Sequence, residues 1–355
     1  MPPLHGGDLH GGDLATARQL FGDGDWLDLS TGINPRSYPV PAIPAAIWAR
    51  LPQRDLEEAV ERAARDYYAL PDRIGLVAAP GTQALIQWLP DLTAPGPVAI
   101  VGPTYGEHAL AWTRAGYQIR PVPDLAALGP EQIGDILHAV VVNPNNPDGR
   151  RWRPEELAAV AERLAARGGL LVVDESFADV TPELSAVTLA ERHGLVVLRS
   201  FGKFFGLAGV RLGFLIATPK LALAVQQRLG PWAVSGPALA IAATALSDRA
   251  WIDATRTRLA GDVIRLDAVL SAAGLTIVGG TDLFRLARHP QAGALYNQLA
   301  RRHILIRQYP DQPQWLRFGV PDAPEAFARL AAALTVAVHG AGTPGLTVAP
   351  EEPRG

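Results

Sequence analysis

The 355-residue chain carries 32 Lys and Arg against 35 Asp and Glu, so its formal net charge of -3 offers no basic footprint for nucleic acid or an anionic membrane surface. It has no cysteine, which excludes disulfides, thiolate chemistry and cysteine metal sites. The length suffices for a main core and a second, smaller one, and with no basic-then-apolar leader and no long unbroken apolar run the expectation is a cytoplasmic protein that spans no membrane and holds no metal.

The N-terminus writes one unit twice, His5-Gly6-Gly7-Asp8-Leu9 and His10-Gly11-Gly12-Asp13-Leu14. It reads either as a glycine-rich tail or as an arm whose imidazole and exposed glycine N–H groups approach an anion. A short helix is predicted over Ala15 to Phe21, followed by Asp28-Leu29-Ser30-Thr31-Gly32-Ile33-Asn34-Pro35. Prolines punctuate Pro39 to Pro52, which reads as an extended linker crossing between domains. Apolar residues at helical spacing among many charges predict an amphipathic helix over Asp55 to Tyr68.

Val77 to Ile86 reads as a turn opening into a helix, where Gly81, Thr82 and Gln83 offer free backbone N–H groups to an anion. Val98 to Val101 is a short buried strand, and Tyr105 follows it, placed either for ordinary packing or to lie flat on a heteroaromatic ring. His138 to Val142 is another strand, running into the rigid turn Asn143 to Gly149, in which Asn146 is the candidate to aim an amide at a ligand. A helix over Arg153 to Arg167 precedes a strand, Gly169 to Val173, that delivers Asp174. A carboxylate at such a buried end is costly without a cation beside it.

The apolar run Gly194 to Leu198 leads to Ser200, Lys203 and Arg211. Lys203 is one of only two lysines in a chain that otherwise uses arginine. A partly buried amine can deprotonate and bond a carbonyl carbon, which a guanidinium cannot, while the Ser200 hydroxyl and the Arg211 guanidinium both suit a phosphate. A strand over Leu212 to Ala217 and helices over Pro219 to Leu229 and Pro237 to Ser247 follow. A helix over Asp248 to Ala273 is long enough to link two domains. Leu275 to His339 reads as a smaller α/β domain in which two apolar strands, Ile304 to Arg307 and Trp315 to Val320, each hold one arginine, Arg307 and Arg317. Each should face a phosphate, a ligand carboxylate or an internal acid. Gly340 to Gly355 is rich in glycine and proline and reads as a mobile tail. Strands near 98, 139, 170, 195 and 213, most separated by helices, predict an α/β fold with a mostly parallel sheet. Tyr105, Asn146, Asp174 and Lys203 fall at its strand ends, where ligands bind such sheets.

The spacing of Ser200, Lys203 and Arg211 resembles the lysine signature of the pyridoxal-phosphate-dependent aminotransferases of fold type I, class I/II. The resemblance extends to the Gly81-Thr82-Gln83 turn, the Asn146 loop and Asp174. It implies a 1-35 arm, a 36-248 cofactor-binding domain, a 249-340 small domain and a 341-355 tail, assembled as a homodimer with its active site at the interface. It further implies that Lys203 carries pyridoxal 5'-phosphate, that Gly81, Thr82, Gln83, Ser200 and Arg211 bind its phosphate, that Tyr105 stacks on its ring, that Asn146 bonds the ring hydroxyl and that Asp174 keeps the ring nitrogen protonated. Three positions depart from the pattern. Gly202 stands where a hydroxyl residue commonly precedes the lysine, Leu51 where a tyrosine reaches the partner subunit's cofactor, and Phe177 where many members carry tyrosine.

The HGGDL and DLSTGINP stretches resemble those of the threonine-phosphate decarboxylases of cobalamin synthesis. His10 fits their spacing better than His5. This likeness implies a small phosphorylated amino acid as substrate, held by His10, Gly11, Gly32, Arg307 and the carboxylate clamp Arg317. The expected reaction is decarboxylation of L-threonine O-3-phosphate to (R)-1-amino-2-propanol phosphate. A histidinol-phosphate or related aminotransferase, and a cofactor-binding subunit without catalysis, are the alternatives.

Overall fold

Seven strands of the larger of two compact units form one sheet in the order 75–79, 213–217, 195–200, 171–174, 138–142, 98–101, 119–122. This computed structural model describes residues 11–192 and 194–341; His5, His10 and the tail beyond Ala341 lie outside the described residues. The larger unit comprises Gly32–Val263 and Gly279–Arg285, and the smaller one the chain up to Thr31, Ile264–Val278 and the chain from Leu286. Residues of the long helix Arg249–Ala272 fall in both.

Five neighbouring strands of the large sheet, from 119–122 to 195–200, run parallel. Gly213–Ala217 is antiparallel to both Leu195–Ser200 and Gly75–Ala79. The central strands are buried at every position, as their unbroken apolar runs require of a sheet covered on both faces. Two apolar clusters accordingly form, one holding Val141, Val173 and Phe214 and the other Val140, Val172 and Leu215. Registers of Val142 with Asp174 and of Asp174 with Leu198 bring two strand ends level, while the third strand runs two residues further, to Ser200.

The amphipathic helix spans Arg54–Tyr67 and buries Val60, Ala63, Ala64 and Tyr67, one face at helical spacing. It packs on the helix Gly236–Ser247. Pro39 to Pro52 differs from its expectation: it lies wholly within the larger unit, and Ala45–Ala49 forms a helical turn because alanines favour one once Pro44 has set the entry. Two sheet strands escaped the periodicity. Gly75–Ala79 lacks a distinctive alternation, and Ile119–Val122 contains Pro121, which an edge strand tolerates.

In the smaller unit the strand expected over Ile304 to Arg307 divides at Ile306. Ile304–Leu305 pairs in parallel with Leu27–Asp28, whereas Arg307–Gln308 pairs antiparallel with Trp315–Gly319. The helices Ala292–Ala300 and Pro324–Ala341 pack against each other, and the former also contacts the strands that hold Arg307 and Arg317.

Candidate active site

The carboxyl ends of the parallel strands open on a cavity of about 180 Å³ in the larger unit, lined by Gly81, Thr82, Gln83, Tyr105, Asn146, Asp174, Phe177, Ser200, Gly202, Lys203 and Arg211 among others. Two larger clefts of about 670 and 580 Å³ lie elsewhere in this unit and contain neither the lysine nor these strand-end groups. Chemistry rather than size selects the smaller space.

Lys203 sits on the short helix Phe201–Phe204, directly past the strand Leu195–Ser200. Phe201, Phe204 and Phe205 are fully buried, and Phe205 stacks on Trp251 at 5.6 Å, so the turn is anchored on its far side. Asn34 fixes it from another direction, its N–H donating to the Lys203 carbonyl at 2.9 Å and its amide to the Phe204 carbonyl at 2.8 Å. The Lys203 Nζ is 5.8 Å from the centre of the Phe177 ring. Phe177 meets Phe284 edge-on at 5.1 Å, and a Cβ at Gly32 would lie within 2.9 Å of both rings, so only glycine passes there.

Asp174 is 2% exposed and has partners besides any ligand. The Ser176 N–H and hydroxyl donate to its Oδ1 at 3.0 and 2.6 Å, and His108 Nε2 donates to its Oδ2 at 2.9 Å. Burial on its own raises the carboxyl, but the His108 contact and the two Ser176 donors outweigh it and hold Asp174 below the usual carboxylate range. His108 was not singled out in the sequence. Its signal is its place on the buried face of the helix Gly106–Arg114, three residues after Tyr105 and three before Ala111.

Tyr105 is 38% exposed, and its hydroxyl donates to Gln83 Oε1 at 3.3 Å while the Gln83 amide donates to Glu107 at 2.7 Å. The three asparagines of the turn divide their work. The Asn143 amide bonds the Trp152 and Leu184 carbonyls, the Asn145 amide bonds Asp148 and the Pro103 carbonyl, and Asn146 lines the cavity.

Glycine shapes the opposite end. Gly81 has a φ of 79°, and a Cβ there would stand 2.7 Å from Arg211 Nη2, in the space where its own backbone meets the guanidinium. At Gly202 a Cβ would stand 2.8 Å from the Ala208 Cα, which is the physical reason that no hydroxyl residue precedes this lysine. Behind the cavity, buried Arg199 donates to Glu175 at 2.8 Å and to Asp179, and Tyr67 donates to Asp179 at 3.0 Å. Burial raises Glu175 above its ordinary value despite the Arg199 charge. This network, also unflagged in the sequence, ties the strand that ends in Asp174 to the strand that leads to Lys203.

The remaining expected residues belong to the smaller unit. Arg307 and Arg317 are directly opposite in register. Arg317 is 7% exposed and donates to the Ser30 carbonyl at 2.8 Å, while the Ser30 hydroxyl accepts from the Gly12 N–H at 2.7 Å. Gly11 abuts the same Ser30 carbonyl, 2.7 Å from its would-be Cβ. Burial, with the Arg317 charge adding to it and the tyrosines at 309 and 296 opposing it, lowers Arg307 from the usual guanidinium value. Among the described residues no group of three or more His, Asp or Glu is placed to hold a metal, and no helix is long and apolar enough to cross a membrane.

A lysine and a buried carboxylate that line one cavity at the strand ends of an α/β unit suit an enzyme of the pyridoxal-phosphate type, and the family comparison agrees. The model of aminotransferase class I and II matches residues 42–334, and the chain belongs to that pyridoxal-phosphate-dependent family. More particularly, it is 47% identical to a threonine-phosphate decarboxylase of Sinorhizobium sp. over 89% of this chain and 94% of the relative. It is 45% identical to the threonine-phosphate decarboxylase of Pseudomonas aeruginosa over 92% and 96%. In fold it is similar to histidinol-phosphate aminotransferase from Sinorhizobium meliloti in complex with pyridoxal-5'-phosphate, with a TM-score of 0.80, 21% identity and 95% of each chain covered.

Proposed function

We propose that this chain is a threonine-phosphate decarboxylase that converts L-threonine O-3-phosphate to (R)-1-amino-2-propanol phosphate in cobalamin biosynthesis, with pyridoxal 5'-phosphate bound at Lys203. The observation that carries this reading is identity of 45–47% to two threonine-phosphate decarboxylases over about nine-tenths of the chain. The cavity supports the cofactor assignment: its amine, its buried ionised carboxylate and its glycine-lined anion end fit an aldehyde, a ring nitrogen and a phosphate respectively.

When bound, pyridoxal phosphate supplies a sink for the electron pair left at Cα when one of its bonds breaks. In this assignment the Lys203 amine holds the aldehyde carbon, and Asp174, kept ionised by His108 and Ser176, holds a proton on the ring nitrogen. The Thr82 N–H group, the Ser200 hydroxyl and the Arg211 guanidinium would bind the cofactor phosphate beside Gly81, whose own N–H donates to the Ala79 carbonyl at 2.7 Å, and Gln83 tethers Tyr105 for stacking. Asn146 donates its amide to the ring oxygen. Phe177 cannot make the phenolic bond to that oxygen which tyrosine would make.

Arg317 is assigned to the substrate carboxylate and Arg307 to its phosphate, with Gly11, Gly32 and His10 completing the substrate contacts. Arginine clamps would act here by orientation, fixing which bond at Cα is the one to break. Held so, the substrate carboxylate would leave as CO2, and Lys203, its amine freed once the substrate amine is bound, would return a proton to Cα. The proposal includes a cytoplasmic homodimer with its active sites at the interface. Exposed Trp48, Leu51 and Trp232 on the larger unit support a second copy.

The test is a product assay on the cofactor-loaded protein with L-threonine O-3-phosphate. CO2 and 1-amino-2-propanol phosphate should form without 2-oxoglutarate. Glutamate formation that requires 2-oxoglutarate and a phosphorylated amine would instead make it an aminotransferase, and a spectral response without product would make it a binding subunit.

A further inference from the structure

The helix Phe201–Phe204 that carries Lys203 is one turn long, which leaves the carbonyls at its end short of partners within the helix. A remote segment supplies donors instead. The Asn34 N–H and side-chain amide donate to the Lys203 and Phe204 carbonyls at 2.9 and 2.8 Å, the Tyr38 N–H to the Phe205 carbonyl at 2.8 Å, and the Ser37 hydroxyl to the Gly206 carbonyl at 2.9 Å. The lysine turn thus rests, carbonyl by carbonyl, on residues 34–38. That segment is itself tied down, since the Tyr38 hydroxyl donates to Asp248 at 3.2 Å and its ring meets Trp251 edge-on at 5.1 Å.

Among these donors only the Asn34 side chain has a choice of direction, because an amide can present either its nitrogen or its oxygen to the turn. Asn34 is 1% exposed, and Arg258 makes the choice for it. The Arg258 Nη2 donates to Asn34 Oδ1 at 2.7 Å, and the Arg36 N–H donates to the same oxygen at 3.1 Å. A guanidinium can only donate, so a flipped amide would set donor against donor at Arg258 and acceptor against acceptor at Phe204. Arg258 also donates through Nη1 to Asp262 at 2.8 Å, one turn along the helix Arg249–Ala272. The same spacing joins Arg54 to Glu58, but there the side chains are 89% and 49% exposed, whereas those of Arg258 and Asp262 are 20% and 18% exposed. The Arg258 pair is turned inward, with its second nitrogen on a buried amide. Asn34, Lys203, Arg258 and Asp262 all belong to the larger unit.

We propose that Arg258 is a positioning residue for Lys203: by holding the Asn34 oxygen it keeps the Asn34 amide on the Phe204 carbonyl, and so fixes the turn from which the Lys203 amine reaches the cofactor aldehyde. Arg258 does not line the cavity and acts through Asn34. The consequence for the cofactor rests on its proposed place at Lys203; the fixing of the turn rests on the hydrogen bonds alone.

The experiment titrates the full-length protein, freed of cofactor, with pyridoxal 5'-phosphate, which bonds the lysine, and with pyridoxamine 5'-phosphate, which has the same ring and phosphate but no aldehyde. In Arg258→Met the Kd for pyridoxal phosphate should rise about tenfold, the worth of one hydrogen bond to a charged group, while the Kd for pyridoxamine phosphate stays within about twofold. Asp262→Ala leaves the bond to Asn34 in place and should bind both compounds as wild type does. Arg258→Lys retains a donor and should recover part of the lost affinity. Without cofactor, the backbone amides of residues 34–38 should exchange hydrogen faster in Arg258→Met than in wild type. Unchanged affinity for pyridoxal phosphate in Arg258→Met overturns the proposal. So does equal weakening for both compounds with a lower Tm, which marks an arginine that only supports the fold. If wild type takes no borohydride label at Lys203, the cofactor assignment fails by itself; the exchange rates then decide, faster exchange keeping Arg258 as the residue that holds the turn and equal exchange removing it.

Discussion

Restoring a hydroxyl at Gly202 should damage the cofactor site rather than complete it. By analogy with relatives that carry a hydroxyl residue before the lysine, Gly202→Ser adds a phosphate ligand and tightens the cofactor. The local geometry predicts the opposite. A Cβ at this position meets the Ala208 Cα at 2.8 Å and its N at 3.3 Å, and a backbone atom cannot swing aside as a side-chain tip does. Ala208 opens the short 3-10 turn Ala208–Val210 that ends at Arg211, whose φ is 55°, and the Arg211 Nη1 donates to the Ala208 carbonyl at 3.1 Å. Displacing Ala208 therefore displaces the guanidinium assigned to the phosphate. Overpacking of this kind costs about 1–3 kcal/mol. An unfolding entropy of about 2.1 cal/mol/K per residue makes that a fall in Tm of roughly 1–4 °C for a chain of this length. Thermal unfolding and fluorescence titration with pyridoxal phosphate read the two effects, and Gly202→Ala separates the steric part from the hydroxyl. Both variants should melt lower and bind the cofactor more weakly. A Gly202→Ser protein with unchanged Tm and tighter cofactor binding would refute the reasoning.

Three further outcomes follow from the same geometry. Asp174 has a folded pKa below its unfolded value of about 3.9, so its stabilisation is complete above about pH 5 and is lost as pH falls through the folded value; Asp174→Asn should flatten this acid limb in urea midpoints measured from pH 3 to 7. Arg199→Met strands Glu175 and Asp179 as buried charges and should cost about 3–5 kcal/mol by urea denaturation, where a loss under about 1 kcal/mol would show that the network is not an ionic one. Tyr105→Leu should raise the cofactor Kd about 2- to 10-fold, the worth of one stacked ring, and an unchanged Kd would remove Tyr105 from the site.

Much of this architecture is legible locally. Val98–Val101, His138–Val142 and Pro219–Leu229 have the bounds their apolar runs and flanking prolines suggest. Asp174 and Lys203 stand out because a carboxylate and a rare lysine each end a buried run, and burial makes polar groups there conspicuous. What was not legible depends on partners distant in the chain. His108 reads as one more residue of a helix until Asp174 arrives 66 residues later. Arg199 looks like a strand terminus until Glu175 and Asp179 fold against it. The break at Ile306 reflects a choice between two partner strands, Leu27–Asp28 and Trp315–Gly319, to which periodicity is blind. Gly202 is visible as a departure from the family pattern, but its cause is the approach of Ala208, a distance that no spacing rule contains.

The most direct test of the central assignment is to reduce the cofactor-loaded protein with borohydride and locate the pyridoxyl group by peptide mass spectrometry. The chain offers two lysines, Lys203 and Lys220, and the second follows Pro219 at the start of a helix and is exposed. The mass should appear on the peptide containing Lys203 and nowhere else. A label on Lys220, or no covalent label on a protein that nonetheless releases CO2 from threonine phosphate, would contradict the assignment.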